Sequence, residues 1–299
     1  MSTYSTTVTV TKNNGVNNDG LDGHNQEKQP SNALQAISQG VTLPSIPSFT
    51  SMEKKRRWML EHLAGAFRVF SRNNYAEGMS GHISLRDPEH PDLFWTNPLA
   101  VHFGMVKVSD LILLDHAGQP VGGNTTRPAN AAGFQIHGHL HRRYAHVNAA
   151  CLMHSVNGKA WSTFARPLEM ISQDTTMFYC EAQAVYKKFG GVVLDPEEGE
   201  RLAETLGPNG KLLILRNHGL LTVGQTVDEA AYLFTLAEKS CGIQLQVEAA
   251  AANGIPKMII DDQVAEYTFQ MTSEPEALYC EFQPEYEFEL DRCNGSFTQ

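Results

Sequence analysis

The chain has 299 residues, of which 41% are hydrophobic and 19% charged, a composition typical of a globular protein. Its net charge of −10 argues against nucleic acid as a partner, because phosphate binding needs clustered lysine and arginine. The five cysteines are scattered and odd in number, which fits a reducing compartment. We find neither an apolar run of the ~20 residues that a membrane span needs nor a signal-peptide pattern. We therefore expect a cytoplasmic protein that binds neither nucleic acid nor membrane.

The first 50 residues are rich in Ser, Thr, Asn, Gly and Gln and contain few large apolar side chains. Such a segment buries too little surface to offset its ordering entropy, so we predict disorder over residues 1–50. A folded domain is predicted over residues 51–270. It should begin with a helix near Met52, because Leu60, Leu63, Phe67 and Phe70 recur at intervals of three and four residues.

Short strand-like segments and two clear helices follow. The segments 81–86, 92–97 and 110–115 are predicted strands, 147–155 is a buried strand, and strands end and resume around an Asn-His-Gly turn at 217–219. One helix is predicted from Asn130 and another from Thr226, which can cap it, to the Asn253-Gly254 pair. This alternation of helix and strand predicts an α/β domain.

Residues 271–299 hold seven acidic side chains against Arg292 alone, so this segment carries −6 of the net charge. We predict an acidic C-terminal tail there, either solvated or docked on another subunit.

Histidines suggest where chemistry occurs. Five of the twelve fall between positions 137 and 154: His137, His139, His141, His146 and His154. On a helix, His137 and His141 share a face and could bind one metal ion. His154 and His218 each end an apolar run, and strand ends are where functional groups converge. The alternative, that these are partly buried histidines hydrogen-bonded to backbone, stays open.

Four long motifs follow one another at 76–103, 127–141, 147–168 and 210–234. Together they resemble the class II aldolase/adducin family, and most of all its adducin-like fungal and bacterial branch, from about Met52 to Ala252. The resemblance implies an α/β/α sandwich around a mainly antiparallel sheet. It also implies a homotetramer with sites between subunits and a small-molecule substrate.

Metal-dependent members of that family use a His-x-His pair at a strand end and a later histidine in an Asn-His-Gly motif. The resemblance places His154 and His218 at two of these positions, and Leu152 at the third. A family carboxylate maps near Gly133. The implied cofactor is a divalent ion such as zinc, held by His154 and His218, with His137 as the candidate third ligand.

The resemblance also implies substrate-binding and proton-transfer residues. Ser80, His82 and Asn97 match segments that flank the substrate anion, and Ala100 stands where relatives often have glycine. The resemblance further implies a proton-donating tyrosine in the C-terminal segment, for which Tyr279 and Tyr286 match, and Tyr286 is the catalytic candidate beside His154 and His218.

The expected function is that of an aldolase-like lyase that stabilises an enolate formed from a carbonyl or hydroxyl compound, with or without metal assistance. Two alternatives remain open. One is a metal-independent biosynthetic enzyme on the same fold, in which His154 or His218 acts as general base. The other is an adducin-like binding protein without catalysis.

Overall fold

A computed structural model describes residues 33–39 and 43–299. Most of the segment predicted to be disordered lies outside these residues. Of the part that is described, Ala33–Ile37 forms a short helix, α1, and the Ile46 N–H donates a 2.9 Å hydrogen bond to the Glu276 carboxylate.

Seven longer helices and eight strands follow in the described part of the chain. The helices are α2 (Met52–Arg72), α3 (Ala131–Arg143), α4 (Val156–Ser162), α5 (Pro196–Leu206), α6 (Val227–Ala252), α7 (Asp262–Thr272) and α8 (Pro275–Arg292). The strands are β1 (His82–Arg86), β2 (Phe94–Thr96), β3 (Ile112–Leu114), β4 (Pro120–Gly123), β5 (Ala149–Met153), β6 (Gln183–Tyr186), β7 (Leu212–Leu215) and β8 (Gly219–Gly224).

The strands form one sheet in the order β4-β3-β2-β1-β5-β8-β7-β6. Every neighbouring pair is antiparallel except β6 and β7, so the expected mainly antiparallel sheet is confirmed. Strand β5 lies between β1 and β8 and is buried along its whole length, which explains its continuous apolar sequence.

The two faces of the sheet carry separate hydrophobic layers, as an α/β/α sandwich requires. Cys151 and Met153 of β5 pack into the layer that contains α2 and α6. Ala150 and Leu152 pack into the opposite layer, with residues of α3 and α5. Side chains alternate along a strand, so Cys151 and Leu152 project from opposite faces of the sheet.

The two longest helices, α2 and α6, begin where they were predicted, each after a capping side chain. Ser51 caps α2 by accepting a hydrogen bond from the Lys54 N–H. Thr226 caps α6 in the same way, with the Glu229 N–H at 3.1 Å, and the helix ends before Asn253.

The C-terminal segment differs from the predicted acidic tail, because α8 is packed into the fold. Leu278, Phe282 and Tyr286 are buried and line one face of α8, at a spacing of four residues. Arg72 of α2 forms ion pairs with Glu285 and Glu289 on this helix. The segment is therefore a helix with a buried apolar face and ion-paired acidic residues. Counting its charges did not predict that apolar face.

Among residues 33–39 and 43–299, none of the helices has the length and hydrophobicity needed to span a bilayer.

Candidate active site

A cleft of about 510 Å³ opens where β5 ends and β8 begins. Its polar residues include Ser80, His82, His154 and His218, contributed by three separate segments. The structure thus brings together four of the residues that the sequence singled out.

His154 and His218 face each other across this cleft. His154 follows the last residue of β5, and His218 lies in the tight turn between β7 and β8, after Asn217 in the left-handed conformation (φ 56°). Their Nε2 atoms are 3.0 Å apart and the rings are nearly perpendicular. A separation of 3.0 Å between two ring nitrogens needs one proton shared in a hydrogen bond.

Both histidines have a lowered pKa. Burial lowers the pKa of His218 to about 4, helped by the neighbouring His154, and burial lowers the pKa of His154 as well. Both rings are therefore neutral near pH 7, and the facing nitrogens provide one donor and one acceptor.

A buried carboxylate fixes the chain that follows His154. Glu238 of α6 accepts hydrogen bonds from the Ser155 hydroxyl, from the Asn157 N–H at 2.8 Å and from the Gly158 N–H at 2.6 Å. The negative charge at the start of α4 satisfies amides that the helix itself leaves unpaired. Nothing in the sequence pointed to Glu238, which stands about 80 residues from its partners.

His137, the predicted third metal ligand, lies deeper than the cleft. Its Nε2 is 2.9 Å from the Nδ1 of His82, and its Nδ1 is 2.6 Å from the Ser84 hydroxyl. Both ring nitrogens are therefore engaged, and the structure does not bring His137 to His154 and His218. Its partner Ser84 also contacts the Nε2 of His141, at 2.7 Å.

The donors at the cleft fit only part of the expected metal site. Two ligands of a tetrahedral ion bonded at about 2.0–2.1 Å lie roughly 3.3 Å apart, which is close to the separation of the two Nε2 atoms. In the described residues, however, no group of three or more His, Cys, Asp or Glu side chains is placed to hold an ion. Leu152, at the third family position, is fully buried in the core.

The remaining predicted residues lie at different depths. Ser80 lines the cleft, whereas Asn97 is buried behind it and accepts a 3.3 Å hydrogen bond from the Thr96 hydroxyl. Tyr286 stacks on His62 with ring centroids 4.0 Å apart, between α8 and α2. Tyr286 does not line the cleft in this chain.

The apolar wall of the cleft was not predicted. Phe189, Val192 and Val193 come from the loop before α5 and face Leu99 and Ile136. The loop has no regular hydrophobic spacing, so periodicity could not assign it to a site. The cationic side chain at the rim, Lys159, is paired with Glu77 at 2.6 and 2.9 Å.

The fold and the site define a protein of the class II aldolase type. The family model for the class II aldolase and adducin N-terminal domain matches residues 61–245. The chain therefore belongs to the class II aldolase/adducin family.

Two relatives and one solved structure are similar to this chain over most of its length. Meiotically up-regulated gene 14 protein of Schizosaccharomyces pombe is 40% identical over 84% of this chain and 96% of its own length. The decarboxylase NovR of Streptomyces niveus is 39% identical over 68% of this chain and 75% of its own. The structure of L-fuculose 1-phosphate aldolase from Glaciozyma antarctica PI12 has a TM-score of 0.78 and 34% identity, covering 85% of this chain and 97% of that one. These similarities support a class II aldolase-like enzyme.

Proposed function

We propose that the protein is a lyase that breaks a carbon–carbon bond next to a carbonyl group of a small molecule. The observation that carries the proposal is the pair of neutral imidazoles, His154 and His218, 3.0 Å apart in the mouth of a cleft. One relative is named as a decarboxylase and one similar structure as an aldolase, and both names denote the cleavage of a carbon–carbon bond.

The reaction that we propose proceeds through an enolate. As the bond breaks, its electron pair moves into the fragment that bears the carbonyl, and negative charge develops on the carbonyl oxygen. The N–H of the imidazole pair is placed to donate to that oxygen when substrate displaces one partner of the hydrogen bond. A donor held in a partly buried cleft stabilises such a charge better than water does.

The cleft favours a substrate with an apolar body. Phe189, Val192 and Ile136 line the cleft together with its polar residues. Lys159, at the rim, is already neutralised by Glu77. A phosphate group would need unpaired cations or a set of free amides. We therefore propose an aromatic or aliphatic carbonyl compound as the substrate, rather than a sugar phosphate.

A divalent metal enters the proposal only as an ion that the two imidazoles would bind. A metal ion bound there would polarise the carbonyl oxygen, and His154 and His218 would supply two of its ligands. The described side chains do not provide the third ligand, so the mechanism above uses the imidazoles alone.

We also propose a homo-oligomer, a tetramer by analogy with the family. It would allow a second subunit to add residues to this cleft. Light scattering coupled to size-exclusion chromatography measures the assembly directly.

The experiment that tests the function is a substrate panel assayed by mass spectrometry, with and without added zinc or manganese. The panel pairs aromatic and aliphatic 3-oxo acids and β-hydroxycarbonyl compounds with sugar phosphates. Loss of a 3-oxo acid or hydroxycarbonyl compound, with release of carbon dioxide or a carbonyl fragment, is expected. His218→Gln should reduce the rate by about 100-fold or more, as does loss of one oxyanion donor. No bond cleavage in any panel member under any condition would contradict the proposal.

Metal content is measured on untagged protein purified without added metal, beside His154→Ala. About one ion per chain, lost in the variant, would mean that another group completes the coordination. If the protein contains no metal and acquires none on dialysis against zinc, the metal-free mechanism is supported.

A further inference from the structure

Four buried side chains run inward from the cleft as one hydrogen-bonded chain, which we call the histidine relay: His82, His137, Ser84 and His141. The three contacts measure 2.9 Å (His82 Nδ1 to His137 Nε2), 2.6 Å (His137 Nδ1 to Ser84 Oγ) and 2.7 Å (Ser84 Oγ to His141 Nε2). The far end is the Val147 carbonyl, 3.0 Å from the Nδ1 of His141. All four relay side chains are buried.

The Val147 carbonyl can only accept, so the Nδ1 of His141 must carry a proton. Burial lowers the pKa of His141 to about 3, so the ring is neutral and its Nε2 is an acceptor. The Ser84 hydroxyl must then donate to that nitrogen. Because Ser84 has one hydrogen, its oxygen must accept from the Nδ1–H of His137.

The same reasoning extends to the cleft. Burial holds the pKa of His137 well below its usual value, so its Nε2 is an acceptor. The proton between His137 and His82 therefore sits on the Nδ1 of His82. Burial also lowers the pKa of His82, to about 3, which leaves its Nε2 without a proton. Within the described part of the chain the His82 ring forms its hydrogen bond through Nδ1, which leaves Nε2 without a partner, and His82 lines the cleft.

Gly133 makes room for this ring. A Cβ at position 133 would lie 2.7 Å from the Cδ2 of His82 and 2.9 Å from its Nε2, too close for either atom to stay in place. The absence of a side chain on this turn of α3 is therefore what allows His82 to lie against the helix.

We propose that the histidine relay locks His82 as the Nδ1–H tautomer, so that its Nε2 is a permanent hydrogen-bond acceptor that selects substrates bearing a hydroxyl group. His137, Ser84 and His141 are positioning residues, and His82 is the residue that contacts substrate. A hydroxyl can donate to Nε2, whereas an ether cannot, and a carboxylate or phosphate oxygen is repelled by the lone pair. The tautomer follows from the hydrogen-bond geometry and from the neutrality of the buried rings, while the selection of a substrate rests on the proposed function.

The tautomer is tested by solid-state 15N NMR of protein labelled at histidine, because the size of an assembly does not limit that measurement. His82→Asn identifies the His82 resonances by removing them. The expected result is a protonated Nδ1 and an unprotonated Nε2 on His82 at pH 7. A protonated Nε2 in the unmodified protein would overturn the proposal without bearing on the lyase reaction.

Two variants at the middle of the relay separate positioning from general packing. In Ser84→Ala, the Nδ1–H of His137 has no acceptor, so His82 should show both tautomers. Ser84→Thr keeps the hydroxyl and should restore the Nδ1–H form. If Ser84→Ala folds and His82 keeps a single Nδ1–H tautomer, the relay does not set it.

Phenol and anisole serve as probes of the acceptor, because they share an aromatic ring and differ in the hydroxyl donor. Phenol should shift the Nε2 resonance of His82, and anisole should not. In Ser84→Ala the apparent affinity for phenol should fall by roughly fivefold, as expected for one net hydrogen bond. Equal shifts from both probes would overturn the selection of hydroxyl groups, whereas failure of the substrate panel would bear on the lyase reaction alone.

Discussion

His82 and Leu152 lie directly opposite each other in the antiparallel pair formed by β1 and β5. Opposite residues in such a pair project from the same face of the sheet. Leu152 therefore occupies the position beside His82, where it is fully buried. Leu152, which stands at the family's metal-ligand position, is therefore a core residue next to His82 of the histidine relay.

Restoring an imidazole at this position should restore metal binding. We expect Leu152→His to raise zinc affinity by more than the roughly 10–100-fold that is lost when one hydrogen-bond partner of a metal ligand is removed. Competition with a chromogenic chelator measures the affinity. Leu152→Gln is the matched control, because it also buries a polar group of similar size but offers no imidazole. Equal zinc affinity in the two variants would show that position 152 does not face the imidazole pair.

Ala100 is held in a backbone conformation that suits glycine. Its φ is 62°, and it is exposed, so a side chain there gains little from packing. Ala100→Gly should raise the free energy of unfolding by about 1 kcal/mol, measured by urea denaturation. Ala249→Gly, at an exposed interior position of α6, should instead lower it by about 0.5–1 kcal/mol. If both variants lose stability alike, the left-handed conformation of Ala100 is not a strain.

Local features of the sequence were sufficient to predict much of the fold. Thr226 begins α6 because a threonine side chain caps the amides of the residues that follow it. His154 and His218 were singled out because each ends an apolar run, and they meet because β8, which starts directly after His218, pairs with β5. The mainly antiparallel direction of the strands came from the family resemblance, and their order came from the structure.

Side-chain contacts between elements that are far apart in the sequence could not be predicted from local features. Glu238 reaches the start of α4 only because α6 packs beside it, and Ser84 meets His137 only because β1 lies under α3. Those contacts depend on side-chain positions that no spacing rule predicts. The same holds for His137, whose spacing from His141 suggested a metal site and whose nitrogens are engaged by other partners.

The buried histidines should make stability depend on pH. Burial lowers the pKa of His82 and His141 to about 3, against roughly 6.5 in an unfolded chain. Between these values the unfolded state binds protons that the folded state does not. The stabilisation is therefore complete above about pH 6.5 and is lost as the pH falls toward 3.

Each of these two histidines should contribute about 2 kcal/mol to the loss of unfolding free energy between pH 7 and pH 5. Urea denaturation at the two pH values measures the loss. His141→Gln should reduce the difference by about that amount, whereas His146→Gln, on the surface, should leave it unchanged. A pH dependence that is identical in all three proteins would mean that His141 is not buried as a neutral ring.

Glu238 should stabilise both the fold and the geometry of the imidazole pair. It is buried, and it accepts hydrogen bonds from Ser155, Asn157 and Gly158, directly after His154. Glu238→Gln keeps the shape but removes the charge that strengthens these bonds, so the free energy of unfolding should fall by about 2 kcal/mol. Lyase activity should fall with it, because the turn that carries His154 loosens.

The control is Glu248→Gln, in the same helix, which removes a more exposed ion pair with Lys257. This variant should lower the free energy of unfolding by less than about 1 kcal/mol. Urea denaturation compares the two variants, and equal losses would mean that the charge of Glu238 is not what holds the start of α4.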